Sequence, residues 1–220
     1  VMVTYEDVKN SEDIKTYIQK ADEALSALGY TEHSFAHVGI ACARCTYILE
    51  TLGKDAREVE LARIAAYMHD IGNLVNRVDH SQSGAVMAFR ILDKMGMDAS
   101  ETAAVVAAIG NHDEGTGVPI DDISAALIIA DKSDVRRSRV RNTDIASFDI
   151  HDRVNYSATS SSLIISEDKT EIALSLEIDT QFGSIMDYFE IFLDRMILCR
   201  KAAEKLDLRF RLVINGQPLL

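Results

Sequence analysis

The chain has 220 residues, 47% of them apolar, and 35 Asp and Glu against 23 Lys and Arg give a formal net charge of −12. That length suits one large domain, or a core domain with a small appendage. The acidic field repels a polyanion, which excludes long nucleic acid as a partner. The central apolar run, Ala125 to Ala130, is far too short to cross a bilayer, and residues 1–7 lack the basic and apolar regions of a signal peptide. A soluble, cytoplasmic protein without a membrane partner is therefore expected.

Helical patterning dominates the first two thirds. Ser11-Glu-Asp-Ile-Lys opens a helix ending near Gly29, with Ile14, Ile18, Ala21, Leu25 and Leu28 at helical spacing. A second helix is expected from His33 to Leu52. Its apolar face includes Cys42 and Cys45, so this Cys-x-x-Cys reads as packing; with only three cysteines in the chain there is no second pair for a zinc site and no disulfide framework. Asp55 caps a third helix, Ala56 to Ile71. A fourth spans His80 to Met95 and is closed by Gly96, and Asp98-x-x-Glu101 resembles a capping box for a fifth ending near His112. Asn111 to Pro119 is a loop, and a sixth helix runs from Ile123 to Val135.

After residue 150 the texture changes. Val154 to Ser166 is rich in β-branched and hydroxyl residues, Glu167-Asp-Lys-Thr reads as a turn, and Glu171 to Ile178 alternates with period two, which together predict a hairpin. A long helix from Gly183 to Leu206 and a strand from Arg209 to Asn215 follow. The expected fold is mostly α: a helical bundle core over 1–150 with a small α+β subdomain over 151–220, built from an antiparallel hairpin, a helix and a strand.

The chemistry concentrates in His37, His69, Asp70, His80, His112 and Asp131. They fall at or near the ends of different predicted helices, beside small residues such as Ala62, Ala65, Ala108 and Gly84. Positions four apart stack on one helical face, so these faces can approach closely. Any one of the histidines alone reads best as a hydrogen-bonded core or surface residue. Four of the six histidines in this pattern, with two matching Asp, argue instead for a metal. Imidazole and carboxylate without thiolate favour iron, manganese, zinc or nickel.

The ordered set His37, His69-Asp70, His80, His112, Asp131 resembles the HD-domain metal-dependent phosphohydrolase superfamily, in the variant with two extra histidines. The segments around Phe35-Ala-His37, Ala66-Tyr-Met-His69-Asp70-Ile-Gly72, His80-Ser-Gln-Ser-Gly84, Asn111-His-Asp-Glu-Gly115 and Ile129-Ala-Asp131-Lys132 are similar to bacterial diadenosine tetraphosphate hydrolases. The resemblance implies an HD-type helical bundle over roughly residues 30 to 140. It further implies that His37, His69, Asp70 and Asp131 hold one divalent ion and that His80 and His112 hold a second, with Asp70 bridging. The implied activity is metal-dependent hydrolysis, by a metal-activated hydroxide, of a nucleotide or other small phosphate ester or anhydride. Two cations about 3.5–4 Å apart suit that chemistry.

Around this centre, His33, Asn73 and Lys132 are the further catalytic candidates beside Asp70. Asn73 stands where many members of the family carry a lysine, so a positive charge is missing there. Lys132, Arg136, Arg137, Arg139 and Arg141 could supply it, or could form a solvated helical face. Asp113 is equally open between support of the metal site and plain loop. The competing functions are an HD-type di-iron oxygenase using the same ligands, and a catalytically silent nucleotide-binding module with the C-terminal sheet as an interaction surface. A homodimer is left open.

Overall fold

A computed structural model describes residues 2–220. Its helices are α1 (Tyr5–Lys9), α2 (Glu12–Ala27), α3 (Phe35–Thr51), α4 (Ala56–Met68), α5 (His80–Met95), α6 (Ala99–Gly110), α7 (Asp122–Lys132), α8 (Ile150–Ser157) and α9 (Ile185–Lys205). The starts are set by local chemistry: the side chains of Ser11, Asp55, Asp98 and Asp121 accept backbone N–H groups in the first turns of α2, α4, α6 and α7. Gly96 closes α5 in the left-handed region, φ +84°, as a C-terminal glycine should. The expected reciprocal box at Asp98 is not made, because Glu101 turns away to a bidentate pair with Arg57.

Helix α7 is the axis of the core. Every residue from Ile123 to Ala130 is buried, and a helix apolar on all sides must be wrapped by others. It packs against α3, α4, α6 and α9, while α5 lies on α6. All three cysteines are buried and free, consistent with packing.

Helix α4 ends three residues earlier than expected. It stops at Met68, His69 caps it, and Ile71–Leu74 continues as a 3-10 turn. The break turns Asp70 out of the helical ladder beside His69. It also brings Gly72 against the first turns of α5, where a Cβ would fall on the His80 carbonyl and the Gly84 amide. Both obstacles are main chain and cannot rotate away. Gly72→Ala is therefore expected to destabilise the metal-free protein by at least about 1–3 kcal/mol, the usual cost of overpacking. Urea denaturation checks this, and an unchanged midpoint would contradict it.

The C-terminal part is a four-stranded sheet in the order β1 (Ala158–Ile165), β2 (Glu171–Ile178), β3 (Arg209–Ile214), β4 (Gln217–Pro218). The β1–β2 hairpin is antiparallel, whereas β3 joins β2 in parallel after the α9 crossover. The expected first strand is shortened: Val154 to Ser157 belong to α8, capped by Asp149. The sheet is tied to the helices by Arg44 on α3, which donates to the carbonyls of Ser133 (2.7 Å) and Ser161 (2.9 Å). Helix α9 packs on both β3 and α7, so a tail element rests on the helix that carries Asp131.

Candidate metal centre

Six side chains from five places in the fold converge. His37 comes from the first turn of α3, His69 and Asp70 from the end of α4, His80 from the start of α5, His112 from just beyond α6, and Asp131 from the last turn of α7. They form two groups that share Asp70: His37, His69, Asp70 and Asp131 in one, Asp70, His80 and His112 in the other. In the first, His37 Nε2 lies 3.0 Å from Asp131 Oδ1 and 3.4 Å from Asp70 Oδ2. His69 Nε2 lies 3.2 Å from Asp70 Oδ2 and 3.3 Å from Asp131 Oδ1. In the second, Asp70 Oδ1 is 3.7 Å from both His80 Nε2 and His112 Nε2. One carboxylate thus offers one oxygen to each group.

The histidine tautomers follow from their outer partners. Nδ1 of His69 lies 2.6 Å from the Ala66 carbonyl, Nδ1 of His112 lies 2.6 Å from the Ile109 carbonyl and Nδ1 of His80 lies 3.0 Å from the Arg77 carbonyl. A carbonyl only accepts, so each Nδ1 carries the proton and donates. His37 Nδ1 likewise faces a carboxylate oxygen of Asp134 at 2.7 Å. In the neutral rings all four Nε2 lone pairs then point inward. They meet in pairs, 3.3 Å apart for His37 and His69 and 3.1 Å apart for His80 and His112.

Facing lone pairs beside two carboxylates need a positive charge between them. Burial and the neighbouring Arg139 oppose protonation of His37, but the carboxylates of Asp131, Asp134 and Asp70 outweigh both and raise it to about 9 in the metal-free site. The same contest, burial against Asp70 and Asp131, leaves His69 at about 10. His80 goes the other way: burial, then the charge of His112, pulls it down to about 3, so no proton occupies its inward nitrogen. Burial works to raise Asp70, yet His69, His112 and His37 hold it well below the usual carboxylate range. Its Oδ2 is buried with no hydrogen-bond partner, a state that is costly unless a cation meets it. Nearest-neighbour spacings of 3.0–3.4 Å in the first group match the edges of a coordination shell whose bonds are about 2.0–2.2 Å long. The donor set fits a divalent transition ion in the first group, and the second offers three further ligand atoms.

Around the cluster the charges are sorted. Asp131 turns Oδ2 to Lys132 Nζ at 2.8 Å, and the same ammonium reaches Glu114 Oε2 at 2.9 Å. Glu114 Oε1 in turn accepts from Arg195 Nε at 3.0 Å. Asn73 is buried and donates from Nδ2 to the Asp70 carbonyl at 3.0 Å, while its Oδ1 accepts from Arg77 at 3.1 Å. The positive charge missing at position 73 is therefore present one turn later, on Arg77. His33 donates from Nδ1 to the Thr31 carbonyl, and its ring sits 5.7 Å from that of His37.

Of the five cations in the 132–141 run, Lys132 and Arg139 line the site. Arg136 instead pairs with Glu32 and Asp134, Arg137 stacks on Tyr156, and Arg141 pairs with Asp22. Asp113 is a loop residue whose carbonyl accepts from Thr116 and Gly117, and its carboxylate joins neither group of ligands.

Sequence reasoning missed Asp134, Glu114, Arg77 and Arg195. Asp134 had a signal, three positions after Asp131 and so near it at the end of one helix. Glu114 and Arg195 had none, because they meet across 81 positions of chain. The Asp134 carboxylate is held well below its ordinary range, where burial is outweighed by His37, Arg139 and Arg136, and it orients the His37 ring. Asp134→Asn is expected to lower metal affinity about 10–100-fold, the usual effect of losing a carboxylate that supports a ligating histidine. Competition titration with a chromogenic chelator measures it, and wild-type affinity would remove Asp134 from the centre.

Pockets open above the cluster. His33, Asp70, Arg77, His80, Asp131, Lys132, Arg139 and Arg195 line its mouth. An adjoining cavity of about 330 Å³ shares His33, Arg77, Arg139 and Arg195 with that mouth. No helix among the described residues is long and apolar enough to cross a membrane.

An uncharacterized protein of Methanocaldococcus jannaschii is 26% identical over 160 residues, which are 62% of this chain and 61% of that protein. The chain thus spans less than two thirds of that relative's length. Among solved structures, a predicted HD superfamily hydrolase from an uncultured Thermotogales bacterium is 28% identical, with a TM-score of 0.45 over 56% of this chain and 67% of its own. A Lactobacillus plantarum protein is 16% identical with a TM-score of 0.46, covering 90% of this chain and 91% of its own. Residues 38–138, which hold His69, Asp70, His80, His112 and Asp131 and begin one position after His37, match the model of the HD domain family.

Proposed function

We propose that the protein is a metal-dependent phosphohydrolase acting on a nucleotide or another small phosphate ester or anhydride, with two divalent ions held by the six clustered residues. The observation that carries this reading is the inward convergence of four imidazole lone pairs and two carboxylates beneath a mouth lined by cations. Bound there, the ions would supply an activated water and charge neutralisation at phosphorus.

The chain's own residues would do the rest. Among the described residues Arg77 binds no carboxylate; it touches Asn73 and lies over the Tyr30 ring, which leaves guanidinium donors for a phosphate oxygen. Lys132 is buried between Asp131 and Glu114 and stays protonated, since their charges outweigh its desolvation. It would fix the Asp131 carboxylate and add positive field where negative charge develops. His33 stays neutral, its pKa driven far down by burial and Arg139. With Nδ1 committed to Thr31, its Nε2 is a free acceptor for a water or a leaving-group proton. Asn73 would hold the turn that presents Asp70.

The test is phosphate release from a panel of nucleotides and small phosphate esters by protein reconstituted separately with iron, manganese, zinc and nickel. Metal-dependent release from at least one class is expected. No release with any metal would sink the reading.

A further inference from the structure

The cavity of about 330 Å³ beside the metal mouth is also lined from the C-terminal part, by Asp149, His151 and Asn155 at α8 and by Phe192 and Arg195 on α9, the last of them shared with the mouth. Those residues lie outside the segment that matches the HD domain. Asn155 is 4% exposed, and its Nδ2 donates to the His151 carbonyl at 3.0 Å, which settles the orientation of the amide. Its Oδ1 is buried and has no hydrogen-bond partner. A buried acceptor left unmade is costly, and Asn155 is one of the residues that line the cavity.

The opposite requirement meets it at the mouth. Arg195 commits Nε to Glu114, and its guanidinium lies 4.7 Å over the Phe192 ring. Arg77 commits one nitrogen to Asn73. Among the described residues no hydrogen bond uses the two terminal nitrogens of Arg195 or the second terminal nitrogen of Arg77. The cavity lining therefore combines unspent cationic donors shared with the metal mouth and one residue, Asn155, whose neutral acceptor is unspent. Its volume lies at the small end of the roughly 300–1,000 Å³ typical of ligand pockets, room for one small molecule and not for a polymer.

We propose that this cavity is the binding site for the organic part of the substrate: a phosphorylated small molecule whose uncharged part, a nucleoside or a sugar, gives an N–H or O–H to Asn155 Oδ1 while Arg77 and Arg195 face its phosphate. The C-terminal part is then a wall of the active site and sets substrate choice. This rests on the phosphohydrolase reading, which names the site but not what distinguishes its substrates.

The experiment is calorimetric titration of the full chain, kept metal-free with a chelator so that no turnover consumes the probe. The probes are adenosine 5′-monophosphate, ribose 5-phosphate and inorganic phosphate. At least one organic phosphate is expected to bind about tenfold or more tightly than phosphate, and which one separates the nucleoside from the sugar. Asn155→Leu should lower that preference about five- to tenfold, the effect of one neutral hydrogen bond lost, with phosphate affinity unchanged. Arg195→Met should weaken all probes that bind and leave their ratio unchanged, and because a ratio is read, a general loss of folded protein cannot imitate the Asn155 effect. Equal binding of all three probes, or an Asn155→Leu variant with the wild-type preference, would overturn the proposal. Phosphate release by the metal-loaded enzyme with no Asn155 effect would leave the phosphohydrolase reading standing and remove this one. Asn155-dependent binding without any hydrolysis would remove the phosphohydrolase reading and, with it, the cavity's role as a substrate site, leaving only a binding site for an organic phosphate.

Discussion

Asp70→Ala is expected to abolish phosphate release and to leave the purified protein with little or no bound metal at either group. The expectation follows from position. Asp70 is the residue shared by both groups, with Oδ2 toward His37 and His69 and Oδ1 toward His80 and His112. Without it the first group keeps two imidazoles and one carboxylate, and the second keeps two imidazoles and no charge. Two neutral ligands do not offset the cost of stripping water from a divalent ion, so the second ion should be lost first and the first weakened severely. The catalytic loss should exceed about 10³-fold, because activated water and charge neutralisation disappear together. Elemental analysis with circular dichroism on the same sample reads the result. Wild-type metal content in a folded Asp70→Ala protein would refute the assignment.

How much of this was readable in advance divides along a physical line. Helix starts at Ser11, Asp55 and Asp98 and the stop at Gly96 were legible because capping is decided by residues within one turn of each other. The six clustered residues were legible for another reason: buried His and Asp on small-residue faces demand a partner wherever they sit. What stayed hidden was decided by tertiary contact. Val154 to Ser157 carry strand-like chemistry, yet α8 claims them, with Val154, Asn155 and Ser157 all buried. The parallel pairing of β2 with β3 depends on where α9 returns the chain, which no local pattern records. The short strand β4 was missed because a two-residue strand has no period to detect. Arg195 lay inside a helix that was read correctly, but its role exists only because Glu114, itself paired with Lys132, meets it. The departure at Asn73 was visible in the sequence, whereas the hydrogen bond that Arg77 gives to it was not.

The two groups differ in charge, and that difference makes the second prediction selective. The first group contains two carboxylates and two imidazoles, whereas the second contains two imidazoles and a share of Asp70. An ion held by the first group would be neutralised by its own ligands, with Asp134 behind His37 and Lys132 behind Asp131. An ion held by the second would have one oxygen of Asp70 and rings whose Nδ1 atoms donate only to the backbone carbonyls of Arg77 and Ile109. His80→Ala should therefore remove one ion per chain and leave the other bound at near wild-type affinity, with activity down by about 10²-fold or more from the loss of one arm of a two-metal clamp. His37→Ala should act on the other side, and since it also takes one hydrogen-bond donor from the buried Asp134 carboxylate, leaving Arg136 as its partner, it should cost folding stability as well. Metal counting on both variants, with thermal unfolding of each, decides the matter. Equal metal loss from both would mean that the six residues hold a single shared ion, and the asymmetry of charge across Asp70 would then have to be explained by substrate binding instead.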